Sequence, residues 1–176
     1  MPMHRIILIG YMGAGKTTVG RRLAKDMGLM FYDLDWYIQN RMHRTVAQIF
    51  EQEGEDGFRE IERRMLHEVA EFEDVVISCG GGTPCFFDNM DYLNKQGDTI
   101  YLKCSPDVLH AHLKMGKSVR PLLLDKTDEQ VKAFVKEQLE KREPFYSRAK
   151  HVFDVSLLDT SDKIEVSARK IIELVR

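Results

Sequence analysis

The chain has 176 residues, which is the size of a single domain with one substantial hydrophobic core. Its 26 basic and 28 acidic residues give a formal net charge of -2, so no bulk positive field indicates a partner such as nucleic acid or an anionic membrane. With 43% hydrophobic and 31% charged residues, and no apolar run near the ~20 residues that span a bilayer, the composition predicts a soluble globular protein. Any anion must therefore bind at a local site.

The N-terminal segment lacks the small residues of a signal-peptide cleavage site, which argues against secretion. The three cysteines, Cys79, Cys85 and Cys104, lack the paired spacing of a zinc site. We therefore expect reduced thiols with packing roles and a cytoplasmic location.

Short runs of β-branched and aliphatic residues alternate with longer segments of helical period, which is the pattern of an α/β fold around a mainly parallel sheet. The strand runs are hydrophobic almost throughout, as expected when helices cover both faces of the sheet. The predicted strands are Ile6–Ile9, Met30–Asp33, Val75–Cys79, Thr99–Lys103 and His151–Val155. Capping-box spacing predicts helix starts after Thr45 and Thr127, and Ser105 before a proline predicts a third.

A phosphate-binding motif follows the first strand directly. The run Gly10-Tyr-Met-Gly-Ala-Gly-Lys-Thr17 matches G-x4-G-K-[ST] and leads into a helical pattern, as the motif requires. Its backbone N–H groups can surround a phosphate, Lys16 can reach the β- and γ-phosphates, and the Thr17 hydroxyl can ligate Mg²⁺. The predicted ATP-binding residues of this segment are Gly13, Ala14, Gly15, Lys16, Thr17 and Thr18.

Two carboxylates stand at the end of the second predicted strand. Alternation along a strand places Asp33 and Asp35 on one face, in the crevice where open α/β sheets bind ligands. One of them can help to hold Mg²⁺, and the other can orient or deprotonate an acceptor hydroxyl. The alternative is a pair of solvated acids that cap the next helix.

Three further segments carry candidate chemistry. Arg59 and Glu62 lie at i and i+3 on one helix face, although such a pair is usually a surface ion pair. Residues 80–82 are three glycines after the third strand, where backbone can approach a ligand closely; the alternative is a loose turn. Residues 114–125 are basic and broken by glycine and proline, which predicts a mobile loop between two helices.

Taken together, the motifs resemble those of the shikimate kinases, P-loop kinases of the nucleoside monophosphate kinase type, over nearly the whole chain. In chain order they are G-x-M-G-A-G-K-T, D-L-D, F-R-x-x-E, G-G-G, R-P-L-L from Arg120 and R-x-x-x-Y from Arg142. The resemblance implies a three-layer α/β/α P-loop kinase fold with a five-stranded parallel sheet. It also implies one domain over residues 1–176, with the P-loop at 10–17, a helical substrate-binding segment at about 33–62 and a lid at about 114–125.

The same resemblance implies an enzyme that transfers the γ-phosphoryl group of ATP to the 3-hydroxyl of shikimate, a step of aromatic amino acid biosynthesis, with Mg²⁺ as cofactor. It implies catalytic roles for Lys16, Asp35 and Arg120, with Arg120 also binding ATP from the lid. The implied substrate-binding residues are Asp35, Arg59, Gly80, Gly81, Gly82 and Arg142, and the implied metal ligands are Thr17 and Asp33. We expect a monomer that binds no nucleic acid and no membrane.

Arginine can grip a carboxylate with a bidentate fork, so Arg59 and Arg142 suit the carboxylate of such a substrate, and Asp35 can accept from its hydroxyls. The resemblance also implies that Glu62 holds Arg59 in position. A gluconate-kinase-like enzyme of the same architecture is an alternative that the P-loop does not exclude. A nucleotide-dependent switch fits less well, because Asn94-Lys95-Gln96-Gly97 lacks the aspartate of N-K-x-D and the third strand lacks D-x-x-G.

Three other residues receive simpler interpretations. His110 and His112 are two apart on a predicted helix and so face apart, which argues against a metal pair. Trp36 is expected to pack against the protein rather than to stack on a ligand.

Overall fold

A computed structural model describes residues 3–116 and 125–176. Within these ranges the chain forms one parallel sheet with the strand order β2-β3-β1-β4-β5. The strands are β1 (Arg5–Ile9), β2 (Met30–Asp33), β3 (Val75–Ser78), β4 (Asp98–Lys103) and β5 (His151–Asp154). The predicted sheet is confirmed, with each strand boundary within one residue of its predicted place.

Seven helices connect or follow these strands in the described part of the chain. They are α1 (Lys16–Met27), α2 (Leu34–Met42), α3 (Val46–Val69), α4 (Asn89–Gln96), α5 (Pro106–Met115), α6 (Asp128–Tyr146) and α7 (Ser161–Leu174). Both predicted capping boxes form, at Thr45 with Gln48 and at Thr127 with Gln130. Ser105 caps α5 by accepting from the backbone N–H of Val108, as its position before a proline predicts.

The centre of the molecule is the fully buried middle of the sheet. Residues Ile6 to Ile9 of β1 have no solvent exposure, and β3 beside them is buried throughout. Helices α1 and α7 pack together, α1 also contacts β2 and β3, and α5 packs on α6. Because the chain runs from β1 to one side of the sheet and later returns to β4 on the other, the carboxyl end of β1 is the switch point where such sheets bind ligands.

The long helix α3 is interrupted at Gly54. This residue has a φ of 72° and a ψ of 179°, a conformation that glycine adopts without the steric cost of a Cβ. The break separates the first turns of α3 from the segment that carries Phe58, Arg59 and Glu62. Together, α2 and α3 form the helical part predicted for about residues 33–62.

Several expectations need correction. Strand β2 ends at Asp33 and α2 begins at Leu34, so strand alternation does not place Asp33 and Asp35 on one side. Lys114 and Met115 belong to α5 rather than to a loop, while residues 117–124, including Arg120, lie outside the described residues. Trp36 is 65% exposed, so the expected packing role is wrong. Among the described helices, none has the length and apolar character needed to cross a bilayer.

Candidate active site

The P-loop takes its shape from glycines that adopt left-handed backbone angles. Gly13 has a φ of 85° and Gly15 a φ of 94°, and a Cβ built at Gly10 would lie only 2.8 Å from the carbonyl oxygen of Leu102. Gly15 is the N-cap residue of α1 and has no side chain with which to cap the first turn of that helix. The N-terminus of α1 therefore presents backbone N–H groups and the positive end of the helix dipole toward an anion.

Lys16 is the first residue of α1 and is buried. Its ammonium group donates to the carbonyl oxygens of Gly10, at 2.7 Å, and of Tyr11, at 2.9 Å. These two bonds hold the positive charge inside the curve of the loop, where the phosphates of a nucleotide would lie.

Thr17 and Asp33 meet across the gap between α1 and β2. The Thr17 hydroxyl donates to Oδ2 of Asp33 at 3.2 Å, and Oδ1 of the same carboxylate accepts from the backbone N–H of Trp36 at 3.1 Å. Asp33 is thus the N-cap of α2 and a neighbour of the P-loop at once. From the sequence, helix capping and metal binding were alternative roles for Asp33. Because one carboxylate oxygen caps α2 and the other faces Thr17, the two roles are compatible.

The three glycines after β3 each stand against one predicted substrate-binding side chain. A Cβ built on Gly80 would lie 3.3 Å from Oδ1 of Asp35, and one on Gly81 would lie 3.0 Å from Nη1 of Arg142. A Cβ on Gly82 would come within 2.6 Å of Nη2 of Arg59. The tertiary structure therefore brings residues from α2, α3 and α6 around one short loop, which is closely packed rather than loose.

Arg59 is held by aromatic rings and by a buried acid. Its guanidinium carbon lies 4.0 Å from the ring centroid of Phe86 and 5.2 Å from that of Phe58. Nη1 donates to Oε1 of Glu62 at 3.0 Å, whereas the buried Nε has no hydrogen-bond partner among the described residues and is 3.8 Å from the nearest oxygen of Glu55. A buried N–H without a partner favours a ligand that accepts from it.

Glu62 is nearly inaccessible to solvent and also accepts from the Thr83 hydroxyl at 2.9 Å. Burial raises the pKa of this carboxyl above its ordinary value, although Arg59 and Thr83 oppose the shift by favouring the charged form. The pair of Arg59 and Glu62 is therefore an interior ion pair that fixes the guanidinium plane, not the surface pair that its spacing alone would suggest.

Arg142 is positioned by the end of α6. Tyr146, one turn later, is fully buried and donates from its hydroxyl to the carbonyl oxygen of Gly81. Tyr101 of β4 donates to Oε2 of Glu143 at 2.5 Å, so α6 is bound both to the sheet and to the glycine loop. The guanidinium of Arg142 lies over the ring of Tyr11, 5.4 Å from its centroid.

One pocket joins the P-loop to the glycine loop. Of the predicted site residues, those that line it are Gly13, Gly15, Lys16, Thr17, Thr18, Asp33, Asp35, Gly80 and Gly81. Arg59, Gly82 and Arg142 adjoin it through the contacts described above, Ala14 is buried behind it, and Arg120 lies outside the described residues.

His112 and Leu158, which also line this pocket, were not predicted as site residues, whereas Met115 and Gly116, which line it too, lie in the segment predicted as the lid. His112 and Leu158 belong to no motif and have no spacing that would have identified them.

All three cysteines are free, and the structure gives them no nucleophilic role. Burial raises the pKa of Cys85 to about 11 and that of Cys104 to about 12, and it raises the pKa of Cys79 further still. Because the thiolate is the reactive form, these thiols are unreactive near neutral pH. This agrees with the predicted packing roles.

Comparison with known proteins identifies the family. The family model described as shikimate kinase matches residues 12–176. A shikimate kinase of Phocaeicola vulgatus is 59% identical over 165 residues, which cover 94% of each chain. The crystal structure of the shikimate kinase from Bacteroides thetaiotaomicron superposes with a TM-score of 0.96 at 51% identity, over 98% of each chain.

A more distant solved structure is a shikimate kinase from Acinetobacter baumannii in complex with shikimate. It has a TM-score of 0.84 and 33% identity, and the match covers 98% of this chain and 93% of that one. A gluconokinase from Sinorhizobium meliloti has a TM-score of 0.63 at only 19% identity, so that likeness concerns the fold alone. With the family model matching almost the whole chain and relatives above half identity, this chain belongs to the shikimate kinase family.

Proposed function

We propose that this enzyme transfers the γ-phosphoryl group of ATP to the 3-hydroxyl of shikimate, with the residues named above in the roles given below. The observation that carries the proposal is the convergence of Asp35, Arg59 and Arg142 on the glycine triplet beside the P-loop. The two guanidinium groups can bind a carboxylate of the ligand, and the Asp35 carboxylate can accept from one of its hydroxyls. The arrangement therefore fits a small molecule that carries both groups.

The nucleotide half of the reaction rests on the P-loop. The N-terminus of α1 and the ammonium group of Lys16 place positive charge where negative charge develops on the transferring phosphoryl group. Because Lys16 is already held within the loop by two carbonyl oxygens, little reorganisation is needed when the phosphates bind.

Mg²⁺ would be held by the Thr17 hydroxyl and the Asp33 carboxylate. These groups are 3.2 Å apart, and the described residues contain no cluster of three or more His, Cys, Asp or Glu that could form a closed metal cage. Two oxygen donors suit Mg²⁺, which keeps several waters and shares phosphate oxygens. When bound, the ion would neutralise charge on the β- and γ-phosphates.

The acceptor half would use the buried N–H of Arg59. With Nη1 engaged by Glu62, the Nε and Nη2 edge remains as a side-on fork for the substrate carboxylate. Arg142, on the other side of the glycine triplet, would bind the same group, and Asp35 would orient or deprotonate the hydroxyl that attacks the γ-phosphorus. Arg120 would complete the site from the lid.

The test is an ADP-release assay with ATP and each of three acceptor conditions: shikimate, gluconate and none. We expect ADP release with shikimate only. Release with gluconate alone, or equal release without an acceptor, would contradict the proposal. A Lys16→Met variant that keeps the wild-type circular dichroism spectrum is the control, because it should lose turnover in every condition. A cytoplasmic location and a monomeric state without nucleic-acid or membrane partners stay predictions.

A further inference from the structure

His112 contacts two other segments of the chain through its two ring nitrogens. It lies in the last turn of α5 and is half-buried. Nδ1 is 2.6 Å from the carbonyl oxygen of Gly13 in the P-loop, and Nε2 is 2.9 Å from the backbone nitrogen of Leu158, between β5 and α7. No step of the proposed reaction uses this side chain, and no sequence motif includes it.

The two partners determine which ring nitrogen carries the proton. The Gly13 carbonyl oxygen can only accept, so Nδ1 must be protonated. The Leu158 N–H can only donate, so Nε2 must offer its lone pair. The neutral tautomer with its proton on Nδ1 is the form that satisfies both contacts, and it makes His112 a directional link between them.

Both partners belong to the nucleotide pocket. A Cβ built at Gly13 would lie 3.1 Å from Cγ of Leu113, so α5 packs directly against the P-loop. A Cβ built at Gly15 would lie 2.5 Å from Cδ1 of Leu158, so the segment between β5 and α7 also touches the loop. His112 thus joins α5, the P-loop and the β5–α7 connection at one point.

The pocket has an end for the acceptor and an end for the rest of the nucleotide. Asp35 and Gly81 line the part of the pocket proposed for the acceptor, so the γ-phosphate would face them. The ribose and base of a nucleotide held by the P-loop would therefore extend away from Asp35. The pocket lining also includes Met115, Gly116, Leu158 and the His112 ring, and of these Leu158 and His112 lie against the P-loop.

We propose that His112 is a positioning residue for the nucleotide: it holds Leu158 and the β5–α7 connection against the P-loop, so that Leu158 forms a wall of the base end of the pocket. This inference rests on the proposed use of ATP. Loss of either ring contact frees the wall to move, so ATP binds more weakly, whereas the Arg59 and Arg142 side of the site is unaffected.

Three variants separate the two contacts. His112→Phe keeps a ring without either hydrogen bond, His112→Asn keeps an amide donor near the place of Nδ1, and His112→Gln keeps an amide oxygen near the place of Nε2. Since each net hydrogen bond contributes about 0.5–1.5 kcal/mol, we expect the KM for ATP to rise about tenfold in His112→Phe and less in the other two. The KM for shikimate and kcat should change less than about twofold.

His110→Asn is the matched control, because His110 is a buried histidine of the same helix whose Nε2 lies 3.7 Å from Asp128, away from the P-loop. It should leave both KM values unchanged. If His112→Phe does not fold, the Asn and Gln variants are compared with this control instead. Equal rises in both KM values, or an unchanged KM for ATP in every folded variant, would overturn the inference.

Calorimetric titration with ATP alone separates this inference from the proposed function. If the wild-type protein fails to phosphorylate shikimate, but the His112 variants still bind ATP more weakly than His110→Asn does, the function is wrong and the positioning role stands. If ATP binding is the same in all of them, the positioning role is wrong whatever the acceptor.

Discussion

At the scale of single residues, the setting of Arg59 decides how well a carboxylate can be bound. A free arginine side chain must lose rotamer freedom when it grips a ligand, whereas this one is already fixed by rings and by Glu62. The rotamer entropy of the Arg59 side chain is already lost on folding, so its N–H groups are in position before the substrate binds.

Replacing the ring closest to Arg59 tests this view. Phe86→Leu removes a cation–π contact of 4.0 Å, and because such contacts contribute about 0.5–2 kcal/mol we expect the KM for shikimate to rise about two- to tenfold with little effect on ATP. Phe87→Leu is the matched control, since Phe87 is exposed and lies under Arg63 instead. Similar kinetics for the two variants would show that the ring does not position Arg59.

The raised pKa of Glu62 gives stability a definite pH dependence. Between the ordinary glutamate pKa and the raised folded value, the folded state binds more protons than the unfolded state, so the free energy of unfolding falls as pH rises through that window. Above the folded pKa this contribution is constant. Denaturant titrations at a series of pH values should therefore show a downward slope in the wild type that Glu62→Gln lacks. If the free energy of unfolding of the wild type instead rose with pH relative to that of Glu62→Gln, the direction of the pKa shift would be contradicted.

At the scale of elements, the site depends on how α6 docks onto the glycine loop. The hydroxyl of Tyr146 donates to the Gly81 carbonyl one turn after Arg142, while Tyr101 binds Glu143 on the same helix. Because Tyr146 is fully buried, its hydroxyl depends on this bond for a partner, and the bond sets the distance between helix and loop.

Tyr146→Phe tests this docking. The variant leaves the Gly81 carbonyl without its donor, so we expect a loss of about 1–3 kcal/mol in the free energy of unfolding and a several-fold rise in the KM for shikimate. Tyr92→Phe is the control, because the Tyr92 hydroxyl bonds to His67 and Glu71 away from the pocket. If both variants lose only stability, α6 docking does not govern substrate binding.

At the scale of the whole molecule, the parallel sheet brings distant segments to one edge. The P-loop follows β1, Asp33 ends β2, and the glycine triplet follows β3, so the order β2-β3-β1 places all three side by side. Arg142 reaches the same place from α6, much later in the chain. A net charge of -2 therefore says little about a pocket with several cations close together.

A double-mutant cycle tests whether Arg59 and Arg142 act on one group. A charged hydrogen bond contributes about 1.5–3 kcal/mol, so each Arg→Ala variant should raise the KM for shikimate roughly 10- to 100-fold and that for ATP much less. If both bind one carboxylate, the double variant should show a rise smaller than the product, because the second contact is weaker once the first is lost. A strictly multiplicative effect would mean that the two arginines bind separate groups.

Local sequence determined a large part of this protein. Strand runs, capping boxes and the G-x4-G-K-T motif each depend on neighbours along the chain, so their positions could be read from residue order, and the fold follows from them. The glycine triplet was recognisable for the same reason, whereas its grouping with Asp35, Arg59 and Arg142 came from the family resemblance and not from any local pattern.

Only the tertiary structure decided which side chains meet. In the structure, one glycine of the triplet lies against each of Asp35, Arg59 and Arg142. Asp33 caps α2 and also faces Thr17. His112 contacts both Gly13 and Leu158. The tertiary structure also left Trp36 exposed against expectation. These contacts join residues far apart in the chain, and their geometry is set by packing and hydrogen-bond direction, which no local pattern of residues encodes.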